Sequence, residues 1–219
     1  VRLRGGTHNP MAPPFDFLEK AFLPLLARMG AAVDAVLVQP GFYPAGGGEC
    51  IVTVAPARRP RPLELLERGE VKRRAARAVV SKLSREIAAR ELAVVSRLLG
   101  WEAEKLEAVS VDSAGPGNVV SLEIESEGLT EVFTGFGEKG VSAEAVAEKV
   151  AREARAYLAA GVPVGEHLAD QLLLPMALAG SGAFRTTPLS RHATTNIEVI
   201  RAFLPVPIDV ERSESGSCV

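Results

Sequence analysis

The apolar run from Val164 to Ala179 constrains the fold of this chain most, because other parts of the protein must cover it on nearly every side. Its apolar residues recur too densely for a surface helix and predict a largely buried helix that opens near Gly165. Acidic residues fall in the first two turns, where a helix N-terminus favours negative charge. His167, Asp170 and Gln171 share one face, because they are three and four residues apart, and this face predicts one wall of a pocket.

A second helix is predicted beyond the Gly180-Ser181-Gly182 break and a short strand. Thr194 or Thr195 can cap it, which leaves His192 in a polar turn just ahead of the helix. Arg191 lies beside this histidine, and a helix N-terminus with an adjacent cation favours an anion. Taken alone, His192 in such a turn is more often a surface residue or a hydrogen-bonded one than a catalytic one.

Four sequence blocks, in this order, resemble the RNA 3'-terminal phosphate cyclase family. They are Arg4–Pro10 (RGGTHNP) with Ala12–Pro14, Phe42–Glu49 (FYPAGGGE), Gly165–Gln171 (GEHLADQ) and Ser190–Glu198 (SRHATTNIE). The last block is similar to the signature of the family, and the third is similar to its nucleotide-binding segment. Because all four follow the order of the family, the resemblance is specific.

The resemblance implies an ATP-dependent ligase in which His192 is the nucleophile. Its imidazole would accept AMP from ATP, with magnesium or another divalent cation, and pass it to an RNA that ends in a 3'-phosphate. The RNA end would then close to a 2',3'-cyclic phosphate. The residues expected to bind nucleotide are Asn9, Pro10, His167, Leu168, Ala169, Asp170, Gln171 and Arg191. No side chain is assigned as a metal ligand, and His8 is interpreted as a loop residue.

The fold that the resemblance implies is α/β (α+β), with a core similar to the enolpyruvate transferases, built of βαβαββ-type units, and a smaller inserted α/β domain. The expected boundaries are 1–62 for the first part of the core, 63–158 for the insert and 159–219 for the second part of the core. A Pro/Arg linker at Pro56–Pro62 supports the first boundary. Family members carry a further N-terminal segment with a Glu-Gly-Gly-Gly-Gln block, so we expect this chain to correspond to the C-terminal two-thirds of a cyclase.

Local patterns predict most of the individual elements. Helices are expected at Phe15–Met29, Leu83–Leu99 and Ser142–Ala159 from apolar residues at helical spacing. Strands are expected at Ala32–Val38, Glu49–Ala55, Lys72–Val80 and Leu106–Asp112, with a hairpin of Val119–Glu125 and Thr130–Phe136.

Composition restricts the classes of protein to consider. The chain of 219 residues has 47% hydrophobic residues and a formal net charge of −2, typical of a globular protein with a real core. Because there is no basic excess, any RNA contact should come from a local patch. No window approaches the roughly 18 consecutive apolar residues of a membrane helix, so a cytoplasmic location is expected. Cys50 and Cys218 have no metal-ligand spacing.

Three alternatives stay open. A non-catalytic, cyclase-like protein that binds RNA during ribosome assembly would lack the nucleophilic histidine, so His192 argues against it. A small-molecule transferase of the enolpyruvate type would need a lysine and arginine constellation that the chain does not show. An inactive, truncated cyclase fragment would fold and yet label weakly or not at all with AMP.

Overall fold

A computed structural model describes residues 1–56, 60–102, 105–213 and 216–219. Residues 57–59, within the predicted Pro/Arg linker, lie outside this part of the chain. The described residues form three sheets with helices packed on them, which confirms the expected mixed α/β class. None of the helices formed by these residues has the length and apolar character needed to cross a membrane.

The first sheet is antiparallel and has the strand order β1-β3-β2. Its strands are β1 (Arg2–Gly5), β2 (Val33–Gln39) and β3 (Gly48–Val54). The predicted helix between β1 and β2 is present as α1 (Phe15–Phe17), a π-helical turn (Leu18–Phe22) and α2 (Leu23–Arg28). It buries Phe17, Ala21, Leu25 and Met29, four residues apart, in the main core.

The second sheet has the strand order β10-β11-β9-β4 and carries the two helices of the apolar C-terminal segment. Its strands are β4 (Leu63–Leu65), β9 (Gly182–Thr186), β10 (Glu211–Ser213) and β11 (Gly216–Cys218). Helix α5 spans Glu166–Ala179 and helix α6 spans Arg191–Phe203. The predicted buried helix is confirmed, since Leu168, Leu172 and Leu173 are within the main core.

The third sheet has the order β6-β5-β7-β8 and its own core. Its strands are β5 (Val71–Ser81), β6 (Leu106–Ser110), β7 (Gly117–Ser126) and β8 (Thr130–Phe136). Helices α3 (Arg85–Leu99) and α4 (Ala143–Ala160) pack against it. These elements lie within the range expected for the insert, but β4, at the start of that range, pairs with β9 of the second sheet.

Charged residues join the third sheet to the helical segment α1–α2. Lys20 in the π-helical turn pairs with Glu123 on β7, and the Asp16 carboxylate lies 3.7 Å from the Arg77 guanidinium on β5. Arg28 at the end of α2 donates a hydrogen bond of 2.5 Å to the carbonyl of Gly128, next to β8. The third sheet is therefore held against the main core by side chains as well as by packing.

Candidate active site

Helix α5 presents a polar face at its N-terminal end. His167 is exposed, and Asp170 and Gln171 are half-buried. The opposite side of the same turns packs into the main core, where Leu168 and Ala169 are 0% and 1% exposed. The side chains of Leu168 and Ala169 therefore hold the helix on the core, so a ligand could meet these two residues only through backbone atoms. Their nucleotide-binding role stays a prediction.

Helix α6 begins one turn earlier than the sequence predicts. Ser190 is its N-cap, because its side-chain oxygen accepts a hydrogen bond of 3.2 Å from the Ala193 backbone N–H. Thr194 instead donates its hydroxyl to the Ser190 carbonyl at 3.1 Å. The prediction of a cap at Thr194 or Thr195 is thus wrong, and His192 lies in the first turn of the helix.

Asn196 joins the two helices at this polar end. Its side-chain amide donates to the Asp170 backbone carbonyl at 3.1 Å and to the Asp170 carboxylate at 3.0 Å. Gln171 also donates to this carboxylate, at 3.4 Å. Asn196 is four residues after His192 and hence on the same face of α6. The structure therefore brings the Ser190–Glu198 block and the Gly165–Gln171 block together.

His192 is placed for contact with a ligand. It is exposed, and within the described part of the chain its ring makes no hydrogen bond. Arg191 is also exposed in the same first turn, where the free N–H groups and the dipole of a 13-residue helix add partial positive charge. This arrangement can attract an anion and leave an imidazole nitrogen free to react with it.

Asn196 was absent from the residues predicted to form the site, although it lies within the signature block. The signal that points to it is its spacing from His192, because an amide one helical turn after His192 shares its face. The Asp170 carboxylate accepts hydrogen bonds from Asn196 and Gln171, so it holds α5 and α6 together as well as lying on the polar face.

His167 lies beside helix α4. Burial raises the pKa of Glu153 on α4 above its usual range, and the positive charges of Lys149 and His167 oppose this shift. The exposed ring of His167 is thus near charged groups of α4, at the boundary between the main core and the elements around the third sheet.

Asn9 and Pro10 precede the first helical segment of the chain. Both belong to the loop between β1 and α1, and Pro10 lines a cavity of about 850 Å³. The cavity lies between this loop, the β2–β3 turn and the first turns of α3 and α4, and none of the described residues of α5 or α6 lines it. The nucleotide-binding role of Asn9 and Pro10 stays a prediction.

His8 has a defined structural environment that the sequence interpretation missed. It is 4% exposed, one ring nitrogen lies 2.9 Å from the Asp16 carboxylate, and the other lies 2.8 Å from the Thr7 hydroxyl. The ring also stacks on Phe42 at a centroid distance of 5.1 Å. Burial alone would raise the pKa of Asp16, but the hydrogen bond from His8 and the charges of His8, Arg77 and Lys20 outweigh it and hold that pKa below its usual value.

The described residues contain no group of three or more His, Cys, Asp or Glu side chains that could hold a metal ion.

The sequence model of the RNA 3'-terminal phosphate cyclase family matches residues 1–210. The chain belongs to the RNA 3'-terminal phosphate cyclase family. This confirms the resemblance carried by the four blocks, all of which lie within the matched residues.

Similar curated proteins bear the same name. An RNA 3'-terminal phosphate cyclase of Ectopseudomonas mendocina is 50% identical over 209 residues, which is 95% of this chain and 61% of that protein. The cyclase of Koribacter versatilis is 48% identical over 98% of this chain and 61% of its own length. The cyclase of Salmonella typhimurium is 49% identical over 100% of this chain and 64% of its own length. The chain thus spans a little over three fifths of the cyclases it matches.

Proposed function

We propose that the protein is an ATP-dependent RNA 3'-phosphate cyclase of the cytoplasm that works through a covalent adenylate on His192. The supporting observation is the pair of hydrogen bonds from Asn196 to Asp170, which fixes the helix of His192 against the helix of His167 and Gln171. A free, exposed imidazole at a helix N-terminus then lies next to a polar face suited to a nucleoside.

In the first step, a neutral imidazole nitrogen of His192 attacks the α-phosphorus of ATP. A P–N bond forms, the bond to the bridging oxygen breaks, and pyrophosphate leaves while the ring loses its N–H proton to water. Imidazole suits this step because it is neutral and nucleophilic near pH 7. Arg191 and the first N–H groups of α6 would stabilise the negative charge that develops on the phosphate oxygens.

In the second step, an oxygen of the RNA 3'-phosphate attacks the phosphorus of the histidine adenylate. The P–N bond breaks, the departing imidazole takes back a proton from water, and AMP becomes joined to the RNA end as a mixed anhydride. The neighbouring 2'-hydroxyl then attacks the RNA 3'-phosphorus, loses its proton, and expels AMP to leave the 2',3'-cyclic phosphate. A divalent cation, preferably magnesium, would be bound mainly by the triphosphate and would neutralise part of its negative charge.

The nucleoside would lie on the polar face of α5. His167 offers an exposed flat ring against which a purine can stack, and Gln171 offers amide donors and acceptors for the base or ribose edge. Because Asp170 already accepts hydrogen bonds from Asn196 and Gln171, we expect it to hold the geometry of this face and to contact the ribose through its remaining lone pairs.

The test is covalent labelling with ATP that carries ³²P at the α-phosphate. We expect one AMP per protein, in a bond that is labile to acid and stable to alkali, as a phosphoramidate is. His192→Ala should abolish the label, a loss of at least about 1,000-fold, because no other group can take the place of the nucleophile. The matched control is Thr195→Ala, which removes an exposed side chain three residues further along α6.

Two results would contradict this assignment. Undiminished labelling of His192→Ala would exclude His192 as the nucleophile. Binding of RNA without any labelling of the unmodified protein would favour the non-catalytic RNA-binding alternative. The experiment should include the 219-residue chain and, beside it, one of the full-length cyclases that it matches, because the chain spans a little over three fifths of their length.

A further inference from the structure

A buried carboxylate on the third sheet meets the start of helix α5. Glu131 on β8 is 2% exposed, and its side-chain oxygen accepts a hydrogen bond from the backbone N–H of Gly165. Gly165 is the N-cap of α5 and lies two residues before His167. The contact therefore links the third sheet to the first turn of the helix that carries the proposed nucleoside face.

The geometry at Gly165 indicates a fitted contact. Its backbone angles, φ −79° and ψ 171°, are open to any residue, so the conformation does not require glycine. A Cβ atom there would lie 3.0 Å from a carboxylate oxygen of Glu131 and 3.1 Å from its Cδ, tighter than ordinary contacts. The absence of a side chain at Gly165 therefore leaves room for the Glu131 carboxylate.

Glu131 supplies the carboxylate of a capping box, which α5 lacks in its own sequence. Glycine has no side chain with which to cap the free N–H groups, whereas α3, α4 and α6 are each capped by a serine, namely Ser84, Ser142 and Ser190. In a capping box a carboxylate from the same helix bonds to the N-cap N–H. Here the carboxylate comes from a strand 34 residues earlier.

The charges around Glu131 do not neutralise it. Among the described residues it has no ion-pair partner, and its titratable neighbour on α4 is Tyr157, whose hydroxyl donates to the Pro163 carbonyl at 2.8 Å. Arg68 is the nearby cation: its guanidinium carbon lies 5.2 Å from the centre of the Tyr157 ring, and it donates hydrogen bonds to the backbone carbonyls of Tyr157 and Leu158. A buried carboxylate without a counter-ion is costly, and a neutral amide could accept the same hydrogen bond more cheaply.

We infer that Glu131 is a positioning residue that holds the first turn of α5, and with it His167, in place for the nucleotide. The inference rests on the proposed function of this face. The Asn196–Asp170 contact fixes α5 one turn further along, so loss of Glu131 should loosen the turn of His167 and leave His192 in place. Nucleotide binding should weaken, whereas the rate of adenylate formation at saturating ATP should change little.

Burial raises the pKa of Glu131 to about 8, against the opposing hydrogen bonds from the backbone N–H groups of Gly165 and Val132. Near that pH the side chain changes between a carboxylate and a carboxylic acid. A carboxylate accepts the stronger hydrogen bond, so the contact with Gly165 should weaken as pH falls from 9 to 7. This pH dependence is absent from an amide and so distinguishes the carboxylate from a merely structural acceptor.

The experiment compares Glu131→Ala and Glu131→Gln with the unmodified protein. The matched control is Glu123→Gln, which changes another buried carboxylate of the same sheet, on β7. The measurements are the equilibrium Kd for ATP and the labelling rate at saturating ATP. They are made from pH 7 to pH 9, together with the NMR shift of the Gly165 amide proton.

We expect Glu131→Ala to raise the Kd for ATP about 5-fold, the usual effect of losing a helix cap, and to change the saturated rate less than about 2-fold. Glu131→Gln should restore the Kd near pH 7 and abolish the titration of the Gly165 amide that we expect near pH 8 in the unmodified protein. Glu123→Gln should leave all three measurements unchanged.

An unchanged Kd for ATP in Glu131→Ala, in a protein that labels normally, would overturn the role of Glu131 and leave the proposed function intact. Equal losses in the alanine and glutamine variants, without titration of Gly165, would also overturn it. Failure of the unmodified protein to bind ATP or to label would instead contradict the proposed function, and the inference would fall with it.

Discussion

His192 and His8 are the same residue type in opposite environments. His192 is exposed in the first turn of α6, and its ring makes no hydrogen bond with a described residue. His8 is buried, with one ring nitrogen bonded to Asp16 and the other to Thr7. The difference teaches that a histidine whose two nitrogens are both engaged supports the fold, whereas one that is held by its helix alone is free for chemistry.

The same contrast extends to the acidic residues. Around the α5–α6 pair, Asp170 shares its oxygens with neutral amides and is only half-buried. In and around the third sheet, Glu91 and Glu131 are 0% and 2% exposed and lack a cation partner among the described residues. Substitutions in the buried set should therefore change stability and its pH dependence. Substitutions at the α5–α6 pair, and at Glu131 where it contacts the start of α5, should change ATP binding or labelling.

The largest effect on stability is expected at His8. Replacing it with alanine leaves the buried Asp16 carboxylate without its hydrogen-bond donor and removes the stack on Phe42, so His8→Ala should lower the free energy of unfolding by about 3 kcal/mol. His192→Ala should lower it by less than about 0.5 kcal/mol, because the side chain is exposed. Chemical denaturation of both variants measures the difference, and equal losses would refute the contrast between the two histidines.

A smaller effect on the free energy of unfolding, which depends on pH, is expected from Glu91 on α3. Burial raises the pKa of its carboxyl to about 7, although a hydrogen bond of 2.9 Å from Asn118 opposes the shift. Since the folded state holds the proton more tightly than the unfolded state, stability is greatest below the unfolded pKa and declines as pH rises through about 7. The slope for one such group approaches about 1.4 kcal/mol per pH unit.

The measurement is urea denaturation of the unmodified protein and of Glu91→Gln at pH 5, 6, 7 and 8. An amide resembles the protonated acid, so we expect Glu91→Gln to lose less stability than the unmodified protein between pH 5 and pH 7. Glu125→Gln, at a partly exposed carboxylate on β7, is the control and should keep the original slope. Parallel curves for Glu91→Gln and the unmodified protein would show that Glu91 does not titrate in this range.

Local pattern predicts the long elements of this fold well. The expected helix Ser142–Ala159 is observed as Ala143–Ala160 with Ser142 as its cap, because an apolar stripe and a capping serine are both written in consecutive residues. The short strands β4, β10 and β11 escaped prediction. Each has three residues, too few to show alternation, and each exists only because it pairs with another strand of the second sheet.

The residues of the candidate site also divide into those that local sequence predicts and those that only the fold reveals. The Ser190–Glu198 block predicts His192 as a site residue, and helical spacing places His167, Asp170 and Gln171 on one face, since both are local features. The contact of Glu131 with Gly165 joins a strand of the third sheet to a helix on the main core and has no local signal. The start of α6 was misplaced because three hydroxyl residues, Ser190, Thr194 and Thr195, can each cap a helix, and only the folded backbone selects Ser190.

A smaller effect on stability than at His8, combined with a moderate effect on activity, is expected at Asn196. Asn196→Ala removes two hydrogen bonds to Asp170 near the surface and should cost about 1 kcal/mol of stability. It also frees the helix of His192 to shift against the helix of His167, and a displacement of reacting groups by about 1 Å can cost up to 100-fold in rate. We expect about a 10-fold slower labelling by ATP.

Asn196→Asp sharpens this prediction, because it places a second carboxylate within hydrogen-bond distance of Asp170 and replaces attraction with repulsion. It should label more slowly than Asn196→Ala, and raising the salt concentration should recover part of the loss by screening the repulsion. Thr195→Ala, the exposed neighbour, is the control. If Asn196→Ala and Asn196→Asp both labelled at the unmodified rate, the two helices would not need each other for catalysis, and the contrast between the α5–α6 pair and the buried set would lose its functional meaning.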